Sequence, residues 1–308
     1  MTPKLSILIS TFNRLKLFRR TLWHLVNNPP PVSYEVVVAD DGSSEPILDE
    51  LRLYSARFPW KFITVSANSD SRFASDTGVS KFFNNPSLTY NVAFRHCRGD
   101  WIIQQGVEVI PWGNCYAELL ESVQDVVSPY FLAFTTVYDV PEHILIHLDA
   151  YGTNLSPHQV EACRQWPLAS PYFHTDVTNY VSLCSRALYE KIGGYDERYL
   201  RGVGKEDSDF VRRCRKIPGW TDSENMRRTN AIALHQSHRG RTWWGNQDQT
   251  IISDARWKEG EKRSKEVWDR WDGTCENKQE WEWGKHGVIS VVSSYQPHGG
   301  ADAGQARG

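Results

Sequence analysis

The chain has 308 residues and a mass of 35.4 kDa, which suits one large α/β domain or one domain with a helical appendage. Its 35 Lys and Arg against 37 Asp and Glu leave a formal charge of −2, which disfavours a general binder of nucleic acid or anionic membranes. No stretch approaches the roughly 20 apolar residues that span a bilayer. The six cysteines show no CxxC spacing, and the start lacks the apolar segment of a signal peptide. These features predict reduced thiols and a cytoplasmic protein, with peripheral membrane attachment as a variant of that expectation.

The first part of the chain alternates between buried strands and helices. A continuous apolar run such as Leu5 to Ile9 is typical of a strand covered on both faces, and the segment NNPPP at 27–31 ends the first helix. A β-α-β-α-β series predicts a parallel sheet with helices on both faces, whose ligands bind at the carboxyl ends of the strands. The predicted elements are strand 5–9, helix 15–26, strand 34–39, helix 46–58 and strand 62–65.

The pattern is less regular beyond residue 66. Residues 66–87 are polar and predict a loop region, and residues 140–180 are irregular and predict the wall of a substrate pocket. The remaining predicted elements are helix 88–97, strand 101–103, helix 110–127, strand 130–137, helices 186–192 and 208–216, and strand 231–234.

The composition changes near residue 250. Five tryptophans alternate with charged residues over 255–283, and Trp268 and Trp271 are three apart, which predicts an amphipathic helix that packs its aromatic edge on the core. The end of the chain is rich in small residues and predicts disorder. We therefore expect an α/β domain over 1–250, a Trp-rich helical extension over 251–290 and a disordered tail over 291–308.

Three motifs in a fixed order resemble those of a known family. The first is SILISTFNR at 6–14 with VVVADDGSS at 36–44, the second is Asn91 with RGDWI at 98–102, and the third is IGGYDE at 192–197 with GKEDSD at 204–209. The ordered set, over about residues 4–240, resembles glycosyltransferase family 2. The resemblance implies the GT-A fold, a Rossmann-like and mostly parallel central sheet flanked by helices. It also implies inverting transfer of a sugar from a nucleoside diphosphate sugar, with UDP as the expected nucleotide, to a hydroxyl acceptor.

A nucleotide site is expected where the first two strands end. A carboxylate at a strand end can accept a hydrogen bond from the imino N–H of a base, and the resemblance assigns this role to Asp41. The alternative is that the DDGS segment at 40–43 forms only a strand-to-helix turn with an N-cap. The candidate nucleotide-binding residues are Ser10, Thr11, Asn13, Arg14, Asp40, Asp41 and Gly106.

The expected metal site departs from the family pattern. Where the family carries Asp-x-Asp on a divalent metal, this sequence reads Gly106-Val107-Glu108, so the first carboxylate is missing. Mg²⁺ takes few protein ligands when diphosphate and water supply the rest. The resemblance therefore implies Mn²⁺ or Mg²⁺ held by Glu108, His235 and His238.

The departing diphosphate needs a positive charge, because negative charge develops on it as the sugar leaves. Arg239 and Arg241 are the candidates for this stabilisation. Two alternatives stay open: a metal-free donor site in which these arginines or Lys205 neutralise the phosphates, and an inactive relative that binds a nucleotide or a sugar.

Inverting transfer also needs a base that deprotonates the acceptor hydroxyl. The resemblance assigns this role to Asp207, with Glu206 as its orienting partner, although in isolation the pair would be the charged first turn of a helix. The acceptor classes left open are a glycan, a lipid-linked glycan, a protein and a small molecule, while the near-neutral charge disfavours nucleic acid. A homodimer through the Trp-rich extension is a further expectation.

Overall fold

The computed structural model describes residues 4–65, 86–140, 145, 181–202, 204–236, 255–271 and 288–294. The strands of this part are β1 Leu5–Thr11, β2 Tyr34–Asp40, β3 Trp60–Val65, β4 Trp101–Gly106, β5 Val109–Trp112, β6 Leu132–Val140, β7 Val181–Ser185, β8 Met226–Gln236 and β9 Val288–Ser293. The helices are α1 Leu15–Asn27, α2 Ile47–Arg52, α3 Pro86–His96, α4 Cys115–Glu121, α5 Arg186–Ile192, α6 Glu206–Cys214, α7 Asp222–Asn225 and α8 Ala255–Asp269, with a 3₁₀ helix at Glu197–Arg201.

The nine strands form one sheet in the order β5-β8-β6-β7-β4-β1-β2-β3-β9. Its centre, β4-β1-β2-β3, is wholly parallel, and β6 and β8 form a further parallel pair. The strands β9, β7 and β5 each join antiparallel to their neighbours. Parallel strands aligned at the centre bring their carboxyl ends to one edge of the sheet, which confirms the expected α/β class with a Rossmann-like centre.

Two layers of helices cover the sheet. Because successive side chains of a strand point to opposite faces, β1 sends Ile7 into one apolar cluster and Leu8 into another. The first cluster contains buried residues of α1, α2 and α4, and the second contains buried residues of α3, α5 and α6. This two-sided burial explains why the central strands are continuous apolar runs.

Two helix predictions need correction. The helix predicted over 110–127 is wrong at its start, because Val109–Trp112 is strand β5 and the helix α4 spans only Cys115–Glu121. Pro111 has no backbone N–H for a helix, and Gly113 turns the chain with a φ of 56°. The helix predicted over 46–58 ends early, at Arg52, because the next turns close through bonds three residues apart, such as Leu53 N–H to the carbonyl of Glu50.

Strands were missed or predicted too short in the second half of the chain. The strand predicted over 231–234 is the middle of β8, whose exposed start at Met226–Asn230 is not apolar. Neither β7 nor β9 was predicted, and β9 includes the first residues of the predicted tail, Val291 to Ser293. The rest of the tail and most of the 66–87 and 140–180 segments lie outside the described residues. Among the described helices, none has the length and apolar character needed to cross a membrane.

Candidate functional site

The ends of β1, β2 and β4 lie side by side at one edge of the sheet. The register pairs Thr11 with Asp40 and Ser10 with Gly106. The residues that follow these strands, 10–14, 40–45 and 106–108, form what we call the strand-end side of the site. The fold therefore brings together all the predicted nucleotide-binding residues.

Two loops of the strand-end side are tied to each other by side chains. The carbonyl oxygen of the Asn13 side chain accepts from the backbone N–H of Ser44 at 2.8 Å, and the Asn13 backbone N–H donates to the Ser43 hydroxyl at 2.7 Å. Glu45 accepts from the backbone N–H of Leu15 at 2.6 Å, in the first turn of α1. Asn13 has a φ of 51°, a left-handed conformation that asparagine tolerates. Asn13 therefore links the two loops through hydrogen bonds.

The two neighbouring aspartates have different surroundings. Asp40 accepts from the backbone N–H of Ser43 at 3.0 Å and from the Ser43 hydroxyl, so it closes the turn after β2. The N-cap position of α2 is Pro46, which forms no side-chain cap hydrogen bond. Burial raises the pKa of Asp40, and the hydrogen bonds from Ser43 and Gly42 act against that rise. Asp41 is nearly buried, and its backbone N–H donates to the carbonyl of Thr11 at 2.9 Å.

The hydroxyl of Thr11 is a buried polar group with no hydrogen-bond partner within the described part of the chain. It stands at the end of β1, beside the turn that Asp40 closes. A buried hydroxyl without a partner is costly, and such groups in native structures call for a water or a ligand. The Thr11 side chain therefore calls for a polar partner, such as an ordered water, at the end of β1.

Glu108 folds back over Gly106. A Cβ atom at Gly106 would meet the Glu108 carboxyl group at 3.0 Å, a distance at which one of them must shift. The carboxylate also forms an ion pair with Arg14 at 3.0 Å, and these side chains are 17% and 26% exposed. The longer side chain of Glu108 thus covers the place where a side chain at 106 would begin. A side chain at position 106 would therefore require the Glu108 carboxylate to move.

Three consecutive residues of α3 connect the strand-end side to the rest of the site. The Thr89 hydroxyl lies 2.6 Å from the Ser10 hydroxyl, at the end of β1. The Asn91 side-chain amide donates to the carbonyl of Tyr195 at 2.9 Å and to Glu197 at 3.0 Å. We call the turn at 193–197 and the helix α6 the helix side of the site. Residues 89–91 therefore set the distance between the two sides.

Gly194 is required where α3 meets the helix side. Its φ is 67°, and a Cβ atom there would lie 2.4 Å from the Asn91 side-chain oxygen. That oxygen accepts from the backbone N–H of Tyr195 at 2.8 Å. A larger residue would be strained in its backbone and would displace Asn91.

Tyr90 and Tyr195 form a stacked pair at the centre of the site. Their ring centroids are 5.4 Å apart, and both residues are buried. The Tyr195 hydroxyl donates to Asp207 Oδ1 at 3.2 Å. The pKa of Tyr90 is raised well above its usual value, first by burial and then by the negative charges of Glu108, Asp207 and Glu206. These carboxylates come from both sides of the site, so Tyr90 marks the place where the two sides converge.

The predicted catalytic pair lies at the start of α6. Burial raises the pKa of Glu206. Asp209, by contrast, is buried and ion-paired with Arg213 at 2.7 Å and with Arg212 at 3.1 Å, so it fixes the helix. Lys205 precedes the pair with a φ of 75°. A left-handed residue other than glycine next to candidate catalytic groups is a feature that functional sites often retain.

Two of the three predicted metal ligands, Glu108 and His235, lie within the described residues. His235 lies inside β8, opposite Val109, while the next residue, Gln236, donates its backbone N–H to the carbonyl of Glu108 at 2.8 Å. Side chains alternate along a strand, so His235 points to the face of β8 away from the one where Gln236 contacts Thr21 of α1. Within the described residues, no group of three or more His, Cys, Asp and Glu is placed to share a metal ion. His238, Arg239 and Arg241 lie outside the described residues.

Sequence reasoning gave no catalytic role to Tyr195. It lies inside the IGGYDE motif at 192–197, so the signal was present in the motif itself. Tyr90 directly precedes Asn91 of the second motif. The positions of both rings depend on packing between α3 and the 193–197 turn, which are about a hundred residues apart in the chain. No local pattern predicts such a contact.

Comparisons with known proteins agree with the motif resemblance. Residues 6–82 match the model of the family described as Glycosyl transferase family 2. Chondroitin synthase of Pasteurella multocida (strain Pm70) is 44% identical over 59 residues, which are 19% of this chain and 6% of that protein. Hyaluronan synthase of Pasteurella multocida is 31% identical over 121 residues, 38% of this chain and 11% of that protein. The chain thus matches a small part of the length of these relatives.

Solved structures with a similar fold extend over more of the chain. Staphylococcus aureus TarS 1–349 in complex with UDP-GlcNAc is 15% identical, with a TM-score of 0.49, over 80% of this chain and 62% of that one. The mannosyltransferase PcManGT from Pyrobaculum calidifontis, in complex with GDP-Man and Mn²⁺, is 14% identical, with a TM-score of 0.46, over 76% of this chain and 57% of that one.

The family match covers β1, β2 and β3 and the loops that form most of the strand-end side. Most of the strand-end side therefore lies in the part of the chain, residues 6–82, that is similar to glycosyltransferase family 2.

Proposed function

We propose that this chain transfers a sugar from a nucleoside diphosphate sugar, with UDP as the nucleotide, to a hydroxyl acceptor with inversion at the anomeric carbon. The observation that carries the proposal is the position of Tyr90, whose ring stacks on Tyr195 and whose pKa is raised, after burial, by the negative charges of Glu108 on the strand-end side and of Glu206 and Asp207 on the helix side. A transferase needs one set of groups for the donor phosphates and another for the acceptor. The charges around Tyr90 come from both sets.

The nucleotide would bind along the strand-end side. Asp41 supplies a nearly buried carboxylate for the imino N–H of the base, and its backbone is held by the carbonyl of Thr11 at the end of β1. The hydrogen bond between Asn13 and Ser44 holds both loops in place before the nucleotide binds, which lowers the entropy cost of binding. Asp40 shapes the turn and is not itself a ligand in this proposal.

The negative charge of the diphosphate would be neutralised by Arg14 and by a metal ion bound to Glu108. Arg14 can donate to the phosphates, and Glu108 can hold a divalent metal ion, because Mg²⁺ and Mn²⁺ need few protein ligands beside phosphates. The bound metal would neutralise the leaving diphosphate. The ion pair between Arg14 and Glu108 keeps both groups in position and balances their charges when no donor is bound.

Asp207 would act as the base. The acceptor oxygen forms its bond to the anomeric carbon while its proton passes to a carboxylate oxygen of Asp207, and the bond from that carbon to the diphosphate breaks with its electron pair on the diphosphate. The Tyr195 hydroxyl donates to Oδ1 and so orients the carboxylate. Glu206 would hydrogen-bond the acceptor. Among the acceptor classes we favour a glycan, because two relatives are named as synthases of chondroitin and hyaluronan.

Calorimetry of UDP binding, with and without Mn²⁺, is the first test, on the unaltered protein and on Glu108→Gln and Asp207→Asn. The proposal expects UDP to bind, Mn²⁺ to tighten binding only when Glu108 is present, and Asp207→Asn to leave binding intact. The second test is NMR of the products formed from UDP-sugars and oligosaccharide acceptors. A product of inverted anomeric configuration supports the proposal. Nucleotide binding without any transfer would instead identify an inactive relative, and absence of binding to UDP, GDP, CDP and TDP would refute the donor site.

A further inference from the structure

The end of helix α8, which lies beyond the matched family region, contacts an arginine of α6 through two indole rings, that of Trp268 in the helix and that of Trp271 two residues after it. The Arg212 guanidinium carbon lies 3.6 Å from the centre of the Trp268 ring and 3.8 Å from the centre of the Trp271 ring. Arg212 Nη1 also donates to the backbone carbonyl of Trp268 at 3.4 Å. A guanidinium that contacts two aromatic faces is strongly localised, since stacking and charge attraction act on both of its faces.

The same helix contacts the chain just before α6. A Cβ atom at Gly202 would lie 1.9 Å from the Ser264 hydroxyl oxygen, so α8 approaches the backbone at 202 too closely for any other residue. The Lys205 ammonium lies 5.5 Å from the centre of the Trp268 ring. Lys205 holds a left-handed conformation directly before Glu206. α8 therefore contacts both α6 and Lys205, the residue with a left-handed conformation directly before α6.

Hydrogen bonds alone do not explain this contact. Several buried polar atoms at it have no hydrogen-bond partner within the described part of the chain, namely Tyr199 Oη, Arg212 Nε, Ser264 Oγ and Trp271 Nε1. Ordered water is the usual partner of such groups. The relative position of α6 and α8 therefore depends on shape at Gly202 and on the rings around Arg212.

Hydrogen bonds connect Arg212 to the start of α6, where the catalytic pair lies. Its Nη2 donates to Asp209 at 3.1 Å, and Asp209 also holds Arg213, whose Nη1 donates to the carbonyl of Gly194 at 2.7 Å. Asp209 lies two residues after Asp207, in the first turn of α6. The network thus joins α8, the start of α6 and the turn that carries Tyr195.

We propose that Trp268 and Trp271 are positioning residues, which hold the start of α6 so that Glu206 and Asp207 face Tyr90. The expected effect on turnover rests on the proposed function. The restraint of α6 by Trp268 and Trp271 does not depend on it. The nucleotide would bind to the strand-end side, so loss of the restraint is expected to affect turnover and not nucleotide affinity.

The test compares Trp268→Ala with Trp268→Phe, which keeps an aromatic face, and with Trp23→Ala. Trp23 is a 38% exposed tryptophan on α1 and controls for the loss of an indole from a helix surface. For each variant we would measure amide hydrogen exchange of the 204–214 peptide and of the β1–β2 region, the dissociation constant for UDP, and the turnover number.

In Trp268→Ala we expect exchange in 204–214 to rise about tenfold, with β1–β2 unchanged. The UDP dissociation constant should stay within about twofold, while turnover falls about tenfold, because a small misplacement of a base is costly. Trp268→Phe should recover most of both effects, and Trp23→Ala should show neither.

Unchanged exchange in 204–214 would overturn the proposal, and so would a parallel loss of UDP affinity, which indicates general destabilisation. If the unaltered protein binds UDP but transfers no sugar, the proposed function fails, while the exchange measurement still decides whether α8 restrains α6. Faster exchange with unchanged turnover, in an active protein, would overturn the positioning role alone.

Discussion

The strand-end side and the helix side of the site are built in different ways. The strand-end side consists of loops that directly follow central strands, and its tie between Asn13 and Ser44 joins residues 31 positions apart. The helix side depends on contacts between residues about a hundred positions apart, such as Asn91 with Glu197, and on stacked rings. The first is set by the alignment of neighbouring parallel strands, whose ends meet at one edge of the sheet. The second depends on how helix α3 packs against the 193–197 turn and α6.

Because the two sides are built differently, we expect substitutions in them to affect different measurements. A substitution on the strand-end side should weaken nucleotide binding, whereas one on the helix side should lower turnover while the nucleotide still binds. Residues 89–91 of α3 contact both sides, so changes there should affect both measurements.

The largest expected effect is that of Asp207→Asn on sugar transfer. Asparagine keeps an oxygen for the Tyr195 hydroxyl but accepts no proton from the acceptor, so turnover should fall about 10²- to 10⁴-fold. UDP affinity, measured by calorimetry, should not change. The control is Asp209→Asn, which weakens the ion pairs with Arg212 and Arg213 and should lower the melting temperature, with a much smaller loss of turnover than in Asp207→Asn. Turnover retained in Asp207→Asn would assign the base elsewhere.

Asp41→Asn should weaken UDP binding about tenfold to a hundredfold, since it removes a charge-assisted hydrogen bond to the base. The matched variant is Asp40→Asn, which keeps an oxygen for the turn and should bind UDP nearly as well as the unaltered protein. Calorimetry of both variants separates a ligand from a turn residue. Equal losses would mean that the whole turn, and not Asp41 alone, holds the base.

The buried histidine of α1 makes the layer behind the strand-end side sensitive to acid. His24 is 1% exposed and stacks on Trp112 of β5, with ring centroids 5.5 Å apart. Burial lowers its pKa from 6.5 to about 4, so the unfolded chain binds the proton more tightly than the folded one. The contribution of His24 to stability is therefore complete above pH 6.5 and is lost as the pH falls toward 4.

The loss should be about 2 kcal/mol at pH 5. His24→Phe keeps a ring against Trp112 but has no proton to bind. Urea unfolding at pH 7 and pH 5 should show that the unaltered protein loses about 2 kcal/mol more than the variant over this interval. Equal losses in the two proteins would show that His24 is not the group responsible.

The smallest expected effect is that of Tyr195→Phe. The rings stay stacked, but Asp207 loses the hydroxyl that holds Oδ1, so turnover should fall about fivefold. The UDP dissociation constant should not change. A matching loss of nucleotide affinity would show that the two sides are not separable in the way the contacts suggest.

The elements that could be predicted from the sequence are those with local signals. Continuous apolar runs identified β1 and β2, and the helix predicted over 186–192 agrees with α5, which Ser185 caps at one end and Gly193 ends at the other. Because parallel strands end at one edge, the positions of Asp40, Asp41 and Gly106 could also be predicted.

The elements that could not be predicted depend on distant partners. The strand β7 is short, and it is a strand because it pairs with both β4 and β6. The fold of Glu108 over Gly106 and the stacking of Tyr90 on Tyr195 are likewise matters of tertiary packing. The roles that the family resemblance implies for His238, Arg239 and Arg241 stay predictions.

The pairing of β9 with β3 has a consequence for the synthesis of the protein. The backbone N–H of Trp60 donates to the hydroxyl of Ser294, 234 residues later, so the edge of β3 has no partner strand until nearly the whole described chain has been made. An open strand edge readily pairs with other chains. A chain shortened before Val288 would therefore keep every proposed catalytic group and still be expected to aggregate.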